Sequence, residues 1–457
     1  MSTGLPALDK VLGGGFPENS ITMICGRPGT GKSILAQQMV FANAGPGRRA
    51  AYLTTLSEPF EKTLRYLQGI SFYSEDLLLE SILYRDLADG LTAAGLEGLL
   101  ATVVGLVKEE RPRLLVIDSF KAIGDLTGRS ANYRSSLFEL ARLLSAYSCT
   151  SFWVGEYSEV DSGRPEFAIA DGILELVNQK RGTRDERYLR VVKLRGSPFL
   201  PGEHSFRIGP DGLEVFPRSC LGATAPLDCG EELVPTGMTP LDALLSGGFY
   251  RGSNTMVMGP SGVGKTVLGL QFVAEAARRG ENAVYLSLQE HPGHLRRTAG
   301  ALGLRLEPEG GGQVRILYMS PVETLIDEVV FRLLEAVDQT AASHAVVDAL
   351  GELAPASWDR SRYTGFIYSL NQALKARGVT AVVNYELAEQ FRTDRLSQDC
   401  ISNIADNVIT LVYTPGATLG RGLRVVKARA TVHSTRQVPF SIGVGGLSGI
   451  GAPDAGP

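Results

Sequence analysis

The sequence predicts an α/β protein built from two tandem phosphate-loop nucleotide-binding domains, each a mainly parallel sheet with helices on both faces. Three observations predict it. The loop GxxxxGK[ST] occurs twice, as Gly26-Arg27-Pro28-Gly29-Thr30-Gly31-Lys32-Ser33 and as Gly259-Pro260-Ser261-Gly262-Val263-Gly264-Lys265-Thr266. The sequence around each loop repeats at the spacing of the two lysines, 265 − 32 = 233 positions. In both halves short, uniformly apolar runs follow one another between helical segments, which is how strands buried on both faces of a parallel sheet read.

The repeat is wider than the loop. Thr3-Gly4 maps onto Thr236-Gly237, Leu8-Asp9 onto Leu241-Asp242, and Gly14-Gly15-Phe16 onto Gly247-Gly248-Phe249. A period this long means a duplicated domain rather than a solenoid. The expected domains are 1–216 and 235–442, joined by a Gly- and Pro-containing linker over 217–234 and followed by a mobile tail over 443–457. Strands are expected at Ile21–Cys25, Ala51–Thr55, Leu114–Ile117, Thr150–Val154 and Tyr188–Val192. Their counterparts are Thr255–Met258, Ala283–Leu288, Ala345–Val347, Thr380–Val383 and Leu423–Val426. Phe152 and Trp153 read as core. Helices follow the loops at Ser33–Asn43 and Thr266–Arg279; the second places Leu268, Phe272, Val273 and Ala276 on one face and stops at Gly280.

The loop chemistry points to ATP and Mg²⁺. A GxxxxGK[ST] loop turns successive backbone N–H groups toward an anion at a helix N-terminus, which suits nucleotide phosphates. Gly26, Gly29, Thr30, Gly31 and Lys32 form one grip, and Gly259, Gly262, Val263, Gly264 and Lys265 the other. The lysines reach the β- and γ-phosphates, and the hydroxyls of Ser33 and Thr266 ligate Mg²⁺. Two apolar runs end in acid, at Asp118 and Asp348; an acid at the carboxyl end of a central strand lies beside the loop, where it can orient Mg²⁺ or its waters, the plainer reading being an Asp that caps the next turn.

Composition narrows the partners. The net charge is −4 and no long basic run occurs, which argues against nucleic acid. No apolar run approaches the ~18 residues that span a bilayer and no signal-peptide pattern opens the chain, so a cytoplasmic, membrane-free protein is expected. The five cysteines (Cys25, Cys149, Cys220, Cys229 and Cys400) form no metal-ligand cluster and fit free thiols in a reducing compartment, although Cys220 and Cys229 are close enough to pair.

With loops and strand-end acids in tandem, nearly the whole chain resembles the KaiC-like branch of the RecA-type ATPases. The most specific matches are Thr3-Gly4…Leu8-Asp9…Gly13-Gly14-Gly15 and Lys193-Leu194-Arg195-Gly196. The resemblance implies RecA-like domains in a double-layered homohexamer, ATP at the interfaces between subunits, and KaiB-like or other signalling proteins as partners. Alternation along a strand puts Lys193 and Arg195 on one face, where they would stabilise a transferring phosphoryl group in trans. Lys427 and Arg429 repeat the spacing, with Ala430 in place of Gly196. The plainer reading is a solvated pair on an edge strand.

The catalytic base departs from the family pattern, which has a Glu-Glu pair before a proline. The matching stretches are Leu56-Ser57-Glu58-Pro59 and Gln289-Glu290-His291-Pro292. Leu56 accepts no proton, so the first domain is expected to bind ATP and hydrolyse it slowly or not at all unless Glu58 acts through a water, leaving Glu290 either as the base or as a surface acid in a turn. Where KaiC phosphorylates an adjacent Ser-Thr pair, this chain has Ser402-Asn403, so a two-site cycle is excluded; Ser402 is either a single autophosphorylation site or a turn cap. Glu156 and Glu386 either position the attacking water or make a structural hydrogen bond. The resulting function is an ATP-hydrolysing signalling or clock-type protein; the alternatives are a RecA-type ATPase acting on DNA and a nucleotide-dependent scaffold with little turnover.

Overall fold

The computed structural model describes residues 1–55, 60–127, 131–157, 163–181, 184–218, 231–353, 360–387, 404–415 and 419–449, and the chain divides into two units, 1–218 and 219–457. The first unit holds β1 (Ile21–Gly26), β2 (Ala50–Thr54), β3 (Ile82–Asp86), β4 (Leu114–Asp118), β5 (Thr150–Gly155), β6 (Gly172–Arg181), β7 (Arg184–Leu194), β8 (Glu203–Gly209) and β9 (Gly212–Phe216). They form one sheet in the order β3-β2-β4-β5-β1-β6-β7-β8-β9, parallel as far as β6 and antiparallel beyond it. The two-sided core follows from strand alternation. Leu114, Val116 and Ile24 face one cluster, and Leu115, Ile117, Met23 and Cys25 the other. Helices α1 (Pro6–Val11), α2 (Lys32–Asn43), α3 (Phe60–Leu67) and α4 (Glu75–Glu80) contribute to the first. Helices α5 (Ala88–Glu110), α6 (Phe120–Thr127) and α7 (Ala131–Ala146) pack on the second, and the short α8 (Pro165–Ile169) leads into β6.

The second unit repeats the plan. Its strands are β10 (Leu233–Val234), β11 (Phe249–Tyr250), β12 (Asn254–Gly259), β13 (Ala283–Ser287), β14 (Val314–Tyr318), β15 (His344–Asp348), β16 (Thr380–Glu386), β17 (Asn407–Thr414), β18 (Gly420–Ala428), β19 (Val438–Gly443) and β20 (Gly446–Gly449). The main sheet runs β14-β13-β15-β16-β12-β17-β18-β19-β20, the same order as in the first unit. Its helices are α9 (Thr239–Leu244), α10 (Lys265–Arg278), α11 (Pro292–Ala301), α12 (Ile326–Thr340) and α13 (Arg360–Lys375). The mainly parallel, two-faced α/β architecture expected from the sequence is therefore present twice.

Two boundaries differ from expectation. Residues 443–449 are not a loose tail: β19 and β20 pair as a hairpin turning through Gly445 and Gly446, both at positive φ. Leu447 is buried there. Their glycine content supplies the turn that composition alone reads as mobility. Leu233–Val234, placed in the linker, pairs with β11. The remainder of the expected tail and the Cys220–Cys229 pair lie outside the described residues; Cys25 and Cys149 are buried and not in a disulfide.

The repeated sequence outside the loops has a structural cause. Asp9 Oδ1 accepts from the backbone N–H and hydroxyl of Thr3, both at 2.7 Å, and Asp242 does the same for Thr236 at 2.8 and 2.7 Å. A glutamine on each loop helix straps a terminal hairpin to it. Gln38 Oε1 accepts from Leu213 N–H at 2.9 Å, and Gln271 Oε1 accepts from Leu447 N–H at 2.8 Å. Among the described residues no helix is long and apolar enough to cross a membrane.

Trp153 is fully buried and stacks on Phe120 with centroids 4.1 Å apart. Phe120 follows Asp118 by two residues, so this stack holds the turn that carries the acid. Replacing Trp153 by Ala is expected to destabilise the first unit by about 3–5 kcal/mol, read as a shift in its denaturant midpoint; a loss under about 1 kcal/mol would show the turn is held otherwise.

Candidate nucleotide site

Parallel pairing brings the carboxyl ends of β1, β2, β4 and β5 to one edge, and the first loop leaves β1 there. Gly26 must be glycine: a Cβ would be driven into the carbonyl oxygen of Leu176 on β6. Gly31, at φ 99°, turns the chain into α2, whose first residue is Lys32. Lys32 is 7% exposed and donates to the Arg27 carbonyl at 2.8 Å. Burial lowers its pKa, opposed by the charges of Glu156 and Asp118. Ser33 donates to Asp118 Oδ2 at 2.7 Å, and the Tyr52 hydroxyl donates to the same oxygen at 2.7 Å. A cavity of about 770 Å³ opens over these groups, lined by Gly29, Gly31, Lys32, Ser33, Asp118 and Glu156 and flanked by Arg187. That volume lies in the range of small-molecule sites.

In the second unit Lys265 begins α10 and donates to the carbonyls of Gly259 at 2.8 Å and Pro260 at 2.7 Å. Glu386 stands 3.7 Å from it. Burial lowers the Lys265 pKa against the pull of Glu386 and Asp348. Val263 and Asp348 are buried, and Tyr285 donates to Asp348 Oδ2 at 2.6 Å. Tyr413 donates to the Ser261 carbonyl at 3.2 Å and so ties β17 to the loop. Glu290 follows β13 at the same edge; its N–H donates to Ser287 Oγ at 2.9 Å and its carboxylate meets His294 Nδ1 at 2.5 Å.

Among the described residues no group of three or more His, Cys, Asp or Glu is placed to hold a metal. The donor sets present suit Mg²⁺ nonetheless, since that ion keeps several waters and is held by one or two protein oxygens plus phosphates. Ser33 with Asp118 would hold it in the first unit, and Thr266 with Asp348 in the second.

Lys193, Arg195, Lys427 and Arg429 do not join these sites. β7 runs antiparallel to β6, so Lys193 faces Ile173 and Arg195 N–H bonds Asp171, whose Oδ2 caps the start of β1 at Ile21. Arg195 is thus level with the first residue of β1, roughly 16 Å of strand from Gly26. Lys193 donates to the Ala170 carbonyl at 2.5 Å, and Arg195 pairs with Asp171 at 3.4 Å. The second unit copies this: Lys427 donates to the Ala405 carbonyl at 2.7 Å, Arg429 pairs with Asp406 at 3.6 Å, and Asp406 caps Asn254 at the start of β12.

Arg187 and Arg421 were missed in the sequence. Each lies six residues before the Lys193 or Lys427 position, on the loop side of its strand, with a buried Nε lacking a hydrogen-bond partner among the described residues. Their recurrence six residues before each lysine was the available signal. Leu56, Ser57, Glu58, Ser402 and Asn403 lie outside the described residues.

The family model described as "ATPase: KaiC" matches twice, over residues 1–220 and 234–451. The circadian clock oscillator protein KaiC of Picosynechococcus sp. is 24% identical over 98% of this chain and 88% of its own length. Those of Rippkaea orientalis and Prochlorococcus marinus are each 24% identical, over 97% and 95% of this chain and 87% and 89% of theirs. Matched along almost its entire length, one domain after the other, the chain belongs to the KaiC ATPase family.

Proposed function

We propose that this KaiC-family chain is an ATP-hydrolysing signalling or clock-type protein that works as a double-layered homohexamer with nucleotide at its subunit interfaces. One observation carries the reading. In both domains the Lys-x-Arg pair stands at the sheet end opposite the domain's own phosphate loop, which supports a role for Lys193 and Arg195, and for Lys427 and Arg429, toward a neighbouring copy's nucleotide. Burial and the adjacent arginine lower the pKa of Lys193 and Lys427, against the pull of Asp171 and Asp406.

Chemistry falls to the second domain. Lys265 exchanges its loop carbonyls for phosphate oxygens, and Glu290 takes the proton of a water attacking the γ-phosphorus as the bond to the β-phosphate oxygen breaks and ADP leaves. The neighbouring copy's Lys427 and Arg429 meet the charge that develops. Mg²⁺, which Thr266 and Asp348 would hold, would supply neutralisation of the phosphate charge. Glu386, already beside Lys265, orients the water. The first domain binds ATP and turns it over slowly, because Leu56 replaces an acid. Ser402 is a single phosphoacceptor, its Oγ taking the γ-phosphoryl group and its proton passing to Glu290. KaiB-like or other signalling proteins read the assembly.

Three measurements test this. Light scattering is expected to give a hexamer with Mg·ATP and smaller species without it; a monomer under both conditions overturns the assembly. Lys265→Ala is expected to lower turnover about a hundredfold and Lys32→Ala far less; the reverse order reassigns the active domain. Phosphopeptide mapping after incubation with Mg·ATP is expected to find phosphate on Ser402, and turnover without it leaves hydrolysis alone.

A further inference from the structure

In both domains the strand-end acid accepts a hydrogen bond from a buried tyrosine, Tyr52 to Asp118 and Tyr285 to Asp348, at 2.7 and 2.6 Å. Strand register produces the pairing. Thr54 lies opposite Asp118 and Tyr52 opposite Val116, which makes Tyr52 the acid's diagonal neighbour on one face. Ser287, Asp348, Tyr285 and Val346 repeat the arrangement. Both rings are at most 1% exposed. Each hydroxyl is the donor and the carboxylate oxygen the acceptor. Phenylalanine would fill the same space without the bond.

We propose that Tyr52 and Tyr285 are positioning residues for the metal-bearing carboxylates, each occupying Oδ2 of its acid so that Oδ1 is left for the metal's shell. The inference rests on the reading of Asp118 and Asp348 as metal acids. In the first domain the Ser33 hydroxyl shares Oδ2, so that oxygen already accepts two donors. A carboxylate fixed in this way does not rotate toward the nearby lysine, whose charge reaches it in both domains. The tyrosines therefore act on the affinity for metal rather than on the grip on phosphate, as outer partners of a ligand do.

The test uses a fluorescent ATP analogue bound by the full-length chain, with Lys32→Ala confining the readout to the second site. Tyr285→Phe is expected to raise the Mg²⁺ concentration giving half-maximal binding about tenfold, while binding in EDTA stays within about twofold. An unchanged Mg²⁺ requirement, or equal losses with and without Mg²⁺, overturns the proposal. Asp348→Asn separates the two readings. If it leaves the Mg²⁺ requirement unchanged, the metal-acid reading fails and takes this inference with it. If it raises the requirement and Tyr285→Phe does not, only the tyrosine's role fails. Should Tyr285→Phe not fold, Tyr52→Phe in a Lys265→Ala chain reads the same quantity at the first site.

Discussion

Strand polarity governs the placement of every functional group in each half. Because β1, β2, β4 and β5 run parallel, their carboxyl ends gather at one edge, and the loop, Asp118 and Glu156 arrive there. Because β7 runs back against β6, Arg187 returns to that edge while Lys193 and Arg195 are carried to the other. A side chain at the far edge cannot be rotated to the loop, since the two are separated by the length of a strand. The sheet therefore sorts these cations into one at the edge that carries the domain's own phosphate loop and two at the opposite edge. The second domain sorts Arg421, Lys427 and Arg429 identically.

Within that frame the two phosphate loops are not electrostatically alike. Lys32 has the Arg27 carbonyl as its hydrogen-bond acceptor, with Glu156 acting on it as a charge. Lys265 holds two loop carbonyls and stands 3.7 Å from Glu386. A buried ammonium is costly unless such groups surround it. The second loop is thus the more fully satisfied of the two, and Tyr413 adds a bond from β17 that fastens its turn.

Much of this was legible in the sequence because its chemistry is local. A phosphate loop needs glycines, a lysine and a hydroxyl within eight residues, and Asp118 and Asp348 end their apolar runs in plain view. The Thr3 and Asp9 pair was visible as a repeat, although its role as a clasp needed coordinates. Arg187, Arg421, Tyr52 and Tyr285 were not found, because their roles depend on which residue lies across the sheet, and a single strand does not state its register. The β20 hairpin was hidden for another reason: Gly443, Gly445 and Gly446 read as slack when they form a turn.

The glutamine strap has a mechanical side. Gln38 sits on the helix that begins with Lys32 of the first loop, and its amide bonds the residue after Gly212, in the strand from which the chain departs for the second domain. A shift of that helix along its axis must either carry β9 with it or break the bond to Leu213. One side-chain amide thus couples the position of the phosphate-loop helix to β9, the last strand of the first unit.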